Sequence, residues 1–131
     1  MKKILVIGAA GQIGSELVPY LRKIYGDNNV VATYNYTPLP LELVEGGPSE
    51  KIDATQGVAL NDIVKKHSID TIFNMVAVLS AKGEANPQMS WKINMDTTFN
   101  CFEVMKEIKG AVFMPSSIGA FGPTTPPDHT P

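Results

Sequence analysis

Cysteine is nearly absent from these 131 residues: Cys101 is the single one, which excludes an internal disulfide and any metal site built from several cysteines. Charge of one sign is scarce as well. Eleven Lys and Arg stand against 13 Asp and Glu, for a net charge of −2. That balance offers no basic excess to hold a phosphate backbone or an anionic membrane surface. Long hydrophobic runs are missing too. The run Ile4-Leu5-Val6-Ile7 follows two lysines, but Gln12, Ser15 and Glu16 interrupt it too soon for a signal peptide or a membrane span. Of the two histidines, His67 sits beside Lys65 and Lys66 at an expected helix end, and His129 has no partner at metal-ligand spacing. No metal site, no nucleic-acid partner and no membrane partner are expected, and the cytoplasm is the expected compartment.

What is present suits one folded domain. Hydrophobic residues make up 44% of the chain and charged residues 18%, and a chain of this length can bury roughly two thirds of its unfolded surface. No internal repeat or low-complexity tract interrupts it. Lys3 to Ile7 reads as a strand buried on both faces. Ile13, Leu17, Leu21 and Ile24 then recur at helical spacing up to Gly26, with Pro19 removing the backbone bond to Ser15 and favouring a bend. Asn29 to Thr33 reads as a second strand. Residues 37 to 50 hold three prolines and a Gly-Gly pair, which predicts loop.

Lys51-Ile52-Asp53 is a poor third strand, and Val58, Leu60, Ile63 and Val64 mark the helix after it. Thr71 to Val76 is an apolar strand with one polar residue, Asn74. A long helix is expected from Pro87, a residue suited to a first turn, to Ile108, with Met89, Ile93, Phe99, Phe102 and Met105 as candidate buried positions. Ala111 to Met114 is the last strand. Strand–helix alternation of this kind specifies parallel strands with right-handed crossovers, so the expected fold is a doubly wound α/β sheet of about five strands. The expected domain is 1–122, followed by a proline-rich tail at 123–131.

The sharpest motif is Gly8-Ala9-Ala10-Gly11-Gln12-Ile13-Gly14, between the first strand and the first helix. Gly8 allows the tight turn out of the strand, Gly11 lets the backbone approach a pyrophosphate, and Gly14 lets helix and strand pack closely. The amides of Gln12 and Ile13 then face the phosphates, helped by the helix dipole. No Gly-Lys-Ser/Thr follows, which excludes a P-loop.

This glycine spacing resembles that of the extended short-chain dehydrogenase/reductase superfamily, to which UDP-galactose epimerase belongs. Three stretches narrow the resemblance: Gly11-Gln12-Ile13-Gly14-Ser15-Glu16-Leu17-Val18, Leu79-Ser80-Ala81-Lys82-Gly83-Glu84, and Pro115-Ser116-Ser117-Ile118-Gly119-Ala120-Phe121-Gly122-Pro123. Together they are similar to L-threonine 3-dehydrogenases of the short-chain type, and the likeness runs from Met1 to Pro131. The resemblance implies NAD as cofactor, L-threonine as substrate, and hydride transfer from its β-carbon to give 2-amino-3-ketobutyrate and NADH. By position it implies that Ser117 is the catalytic hydroxyl, Ser80 a substrate contact, and Asp53 the residue receiving the adenine edge. It also puts Ala77 and Asn94 beside the cofactor, and the helix 87–108 in a homodimer interface. The residues themselves leave plainer roles open: a polar strand end at Ser116-Ser117, a loop brace at Asn94, a helix cap at Asp53, and burial of the helix 87–108 within its own domain.

Departures from the family pattern are visible in the same reading. The superfamily's general base is a tyrosine with a lysine four residues on, and nothing after Ser117 is a Tyr or a Lys. A truncated or fragmentary chain without turnover is therefore expected. Tyr34 and Asn35 stand where an acid would bind the ribose hydroxyls, and no Lys or Arg lies at 34–37 to take a 2′-phosphate, so NAD is expected over NADP. Ser49 and Lys51 thin the third strand, and Val76 stands where a small residue would leave room for the cofactor. Two other readings share the glycine turn: a non-catalytic module that senses NAD, and a piece of a nucleotide-sugar epimerase or dehydratase.

Overall fold

The N-terminal apolar run forms β1 (Ile4–Ile7), all four residues of which are buried, as a strand covered on both faces requires. A computed structural model describes residues 2–78, 80–117, 121–122 and 124–126, without the side chains of 80–82. Leu79, Ile118 to Ala120 and most of the 123–131 tail therefore lie outside the described residues. After β1 come α1 (Gln12–Tyr25), a 3-10 turn (Asp27–Asn29), β2 (Val30–Tyr34), α2 (Leu41–Glu45) and β3 (Ser49–Lys51). They are followed by α3 (Gly57–Lys66), β4 (Thr71–Asn74), α4 (Ser80–Ala85), α5 (Pro87–Ile108) and β5 (Ala111–Phe113).

The strands make one sheet in the order β3-β2-β1-β4-β5, with every neighbouring pair parallel. This is the doubly wound, Rossmann-type arrangement that the alternation predicts. The chain starts in the middle of the sheet, winds outward to β3, then returns to build β4 and β5 on the other side. Right-handed crossovers put α1 and α2 on one face and α3 and α5 on the other. Two cores follow. Ile4, Val6, Val18, Leu21, Val30 and Leu43 pack on the first face, while Leu5, Ile7, Leu60, Val64, Ile72 and Cys101 pack on the second. Among the described residues β5 pairs only with β4, and its Ala111 and Phe113 are exposed at that edge of the sheet.

Residues 37–50 are not all loop: α2 and most of β3 lie within them. The strand expected at 51–53 is shifted to Ser49–Lys51, with Ile52 buried beyond its end. Ser49 and Glu50 make a poor strand on propensity alone, and tertiary contacts hold it. The guanidinium of Arg22, a residue 4% exposed, donates to Leu43 O at 2.7 Å, Pro48 O at 3.0 Å and Val30 O at 3.4 Å. Pro48 O also accepts from Ala32 N at 3.0 Å, so one cation ties α1 to the segment that delivers β3 to β2. From the other face, Lys66 Nζ donates to Glu50 Oε1 at 2.6 Å, and His67 Nε2 lies 2.7 Å from the same oxygen. Hydrogen bonding from Lys66, and then from His67, holds the Glu50 carboxyl below its ordinary range.

Both main helices are rotated relative to their apolar stripes. In α1 the buried positions are Gly14, Val18, Leu21 and Arg22, whereas Ile13 and Ile24 face outward, 63% and 54% exposed. In α5, which matches its expected ends, the buried positions are Ser90, Thr97, Cys101, Val104 and Met105. Of the five candidates, Met105 is buried and Ile93 half-buried, while Met89, Phe99 and Phe102 are exposed. Val58 of α3 also faces out. Close packing explains the choice: apart from Met105 the buried side carries small or medium residues that admit a near neighbour, and Ser90 Oγ donates to Asn86 O, 3.0 Å away.

Cys101 is fully buried, and burial pushes its thiol up to about 12. Since the thiolate is the reactive form, native protein is expected to resist a thiol-specific reagent at pH 8 and to label fully in urea. Rapid labelling of the native chain would contradict the packing of α5.

Candidate functional site

Because all five strands run the same way, the segments following them gather at one edge of the sheet. β1 and β4 lie side by side there, although their outgoing connections run to opposite faces. Such a switch point leaves a crevice where doubly wound proteins take ligands. The glycine turn opens into it.

Each glycine of the turn meets a different constraint. Gly8 has φ +82°, a conformation other residues enter only with strain. A Cβ on it would lie 3.2 Å from the backbone of Met75 and Val76, so the turn rests on the chain leaving β4. A Cβ on Gly14 would run into Gly8 O and come within 2.8 Å of Ala9 Cα. Gly11 differs: its Cβ would meet only Gly8 O, at 3.3 Å, and the residue is exposed. The fold itself thus demands glycine at 8 and 14, while the open position at 11 lies where a ligand would approach. Gly11 N donates to Gly8 O at 3.1 Å and Ala9 N to Thr33 O at 2.9 Å, which closes the turn. No side chain caps α1, so its first amides at Gln12 and Ile13, both exposed, remain directed outward with the positive end of the dipole. These features fit a dinucleotide pyrophosphate.

The other expected residues occupy the same edge. Asp53 follows β3, and its Oδ1 accepts from Thr55 N at 3.0 Å and Thr55 Oγ1 at 2.7 Å. It therefore closes a turn ahead of α3, whose N-cap is Gln56; the helix-cap role is not the one it has. Ala77 is exposed in the segment after β4. Asn94 reaches that segment from α5: its Oδ1 accepts from Val78 N at 2.8 Å, and its Nδ2 donates to Val78 O at 3.4 Å. The loop-brace role is thus present in the geometry. Ser80 opens α4, with its side chain outside the described residues. Ser117 is exposed beyond β5.

At the end of β2, Tyr34 packs against the core under α1 and Asn35 is half-buried, so no carboxylate stands at that strand end. Val76 packs against the α3–α5 core, with Cγ2 3.2 Å from the position of a Gly8 Cβ. Arg22 was invisible as a structural residue because a cation on an amphipathic helix ordinarily reads as surface. Asn74 left one signal, a lone amide in an apolar strand. Among the described residues, no group of three His, Cys, Asp or Glu could hold a metal ion. No described helix is long and apolar enough to cross a membrane.

Sheet order, switch point and glycine turn together define a nucleotide-binding domain of the doubly wound class. The chain belongs to the NAD dependent epimerase/dehydratase family, whose sequence model matches residues 4–131. Over all its residues it is 45% identical to an uncharacterized epimerase/dehydratase of Staphylococcus saprophyticus, covering 41% of that protein. The L-threonine dehydrogenase of Clostridium difficile superposes with a TM-score of 0.89 at 41% identity, over 100% of this chain and 41% of that one. A GalE-like L-threonine dehydrogenase from Cupriavidus necator, in holo form, gives 0.88 at 41% identity, over 98% of this chain and 42% of its own. The chain therefore spans about two fifths of the length of these relatives.

Proposed function

We propose that residues 1–122 form the dinucleotide-binding part of an NAD-dependent L-threonine 3-dehydrogenase. The observation that carries this reading is the likeness to L-threonine dehydrogenases along the whole chain, at 41% identity, with an intact glycine turn at the switch point. When bound, NAD supplies the acceptor for the hydride leaving the β-carbon of L-threonine. The amides of Gln12 and Ile13 hold the pyrophosphate, Gly8 and Gly14 keep the turn closed, and Gly11 leaves room for it. Asp53 receives the adenine edge through its carboxylate, Ala77 and Asn94 border the other half, Ser80 contacts substrate, and Ser117 hydrogen-bonds the alcohol.

Titration calorimetry tests the reading. Saturable NAD binding is expected for the 131-residue chain, and its loss in Gly11→Val, a change whose Cβ meets one protein atom, Gly8 O at 3.3 Å, where Gly14 has three closer ones. No binding by the unaltered chain would sink the proposal. Threonine-dependent NADH formation is not expected from this chain alone, because no Tyr-x-x-x-Lys pair is present and a positioned general base is worth about 10²–10⁴ in rate.

The exposed stripe Trp91, Met95, Phe99 and Phe102 along α5 supports self-association through 87–108. Phe99→Glu is expected to shift sedimentation toward monomer without changing the thermal midpoint of the isolated domain by more than a few degrees. Unchanged sedimentation would refute that interface.

A further inference from the structure

The segment leaving β4 is held by a device that the glycine motif does not reveal. β4 pairs with β1 through Asn74 opposite Ile7, and Met75 N still donates to Ile7 O at 2.9 Å. The next amide points to the opposite side of the strand, toward β5, and the β4–β5 ladder ends at Phe73 opposite Phe113. The amide of Val76 therefore finds no partner in the ladder, and an amide shielded from water without an acceptor is disfavoured. Asn74 supplies the acceptor. Its side chain is buried, its Oδ1 accepts from Val76 N at 3.2 Å, and its Nδ2 donates to Thr98 Oγ1 on α5 at 3.4 Å.

We infer that Asn74 is a positioning residue of the dinucleotide site. By bending the backbone at Val76 and anchoring to Thr98, it fixes residues 75–78 as the wall beside Gly8. One turn earlier on α5, Asn94 holds the same segment at Val78, so two amide side chains clamp it at both ends. The inference rests on the dinucleotide reading above. In doubly wound domains the adenine ribose lies toward the end of β2, so the other half of a dinucleotide lies toward β4 and β5, over this wall. Asn74 thus governs the half of the ligand that the glycine turn does not hold. Apolar replacements suit a strand interior, so the choice of an amide here answers the loop and not the sheet.

The test is calorimetric titration with NAD and, separately, ADP, which carries only the adenine half and pyrophosphate. For Asn74→Leu, close in size, NAD affinity is expected to fall about tenfold, equivalent to 1.4 kcal/mol, while ADP affinity stays within about threefold. Thr98→Val, at a half-buried site where folding is less at risk, is expected to show the same split at about threefold. Equal losses for both ligands would mean a merely structural residue, and unchanged NAD affinity in both variants would mean no role; either overturns the inference. If the unaltered chain bound ADP and NAD equally weakly, the wall would have no ligand to position, and the inference would fall. If it bound neither, the dinucleotide reading would fall with it.

Discussion

Replacing Gly14 with alanine is expected to remove NAD binding and to destabilise the domain by about 3 kcal/mol, at the upper end of the range for overpacking a close contact. The added methyl has no free direction, because Gly8 O and Ala9 Cα both stand where it must go. Relief requires α1 to lift from β1, and that movement opens the turn and uncovers Val18 and Leu21, which are buried beneath the helix. Urea titration followed by far-UV circular dichroism measures the stability change, and calorimetry measures the ligand. Gly11→Val provides the contrast. It should lower the urea midpoint much less than Gly14→Ala and still abolish binding, since only Gly8 O, at 3.3 Å, lies near its Cβ. Equal destabilisation by the two changes would show that the turn does not divide its labour between packing and ligand approach.

The second large effect is expected at Arg22. Arg22→Leu keeps the aliphatic stem but strips donors from Val30 O, Leu43 O and Pro48 O. Hydrogen bonds from a charged donor contribute about 1.5–3 kcal/mol, and unmatched buried carbonyls carry a penalty of their own, so a loss of about 3 kcal/mol is expected. The loss should be local first. Amide exchange at Ala32 and along 49–52 is expected to quicken more than exchange in β1 or β4, because β3 depends on the loop that Arg22 holds. Burial lowers the arginine's proton affinity, and the nearby Asp27 carboxylate opposes that effect, so the guanidinium stays charged throughout the neutral range. Uniformly faster exchange across the sheet, or no change in β3, would reject this account.

Much of the fold was legible in local chemistry. An unbroken branched run in β1, glycines before an amphipathic segment, and Pro87 at the start of a long helix each leave a mark within a few residues. The ends of α5 were readable for that reason, while its buried face was not. Met89, Phe99 and Phe102 are more apolar than Ser90, Thr97 and Cys101, and on transfer energy alone they belong inside. Packing against the sheet selects small side chains instead, and the large ones remain outward as a stripe free for another contact. In α1 the requirement for glycine at the turn sets the phase, so Gly14 faces β1 and Ile13 is carried outward with the open end of the helix.

The candidate site divides along the same line. Gly8, Gly11 and Gly14 were readable because backbone geometry dictates residue type within one turn. Asp53, Ala77, Asn94 and Ser117 came only through resemblance, being far apart in sequence. The sequence by itself determined the strand–helix alternation, the parallel sheet and the phosphate-type turn, all of which follow from periodicity and the special backbone freedom of glycine. Only the tertiary structure decided that a weak strand at 49–51 joins the sheet, that Arg22 is an interior residue, and that Asn74 and Asn94 grip one loop from two directions. Those outcomes depend on buried carbonyls and amides meeting partners up to 26 residues away, and no local pattern records which partner will arrive.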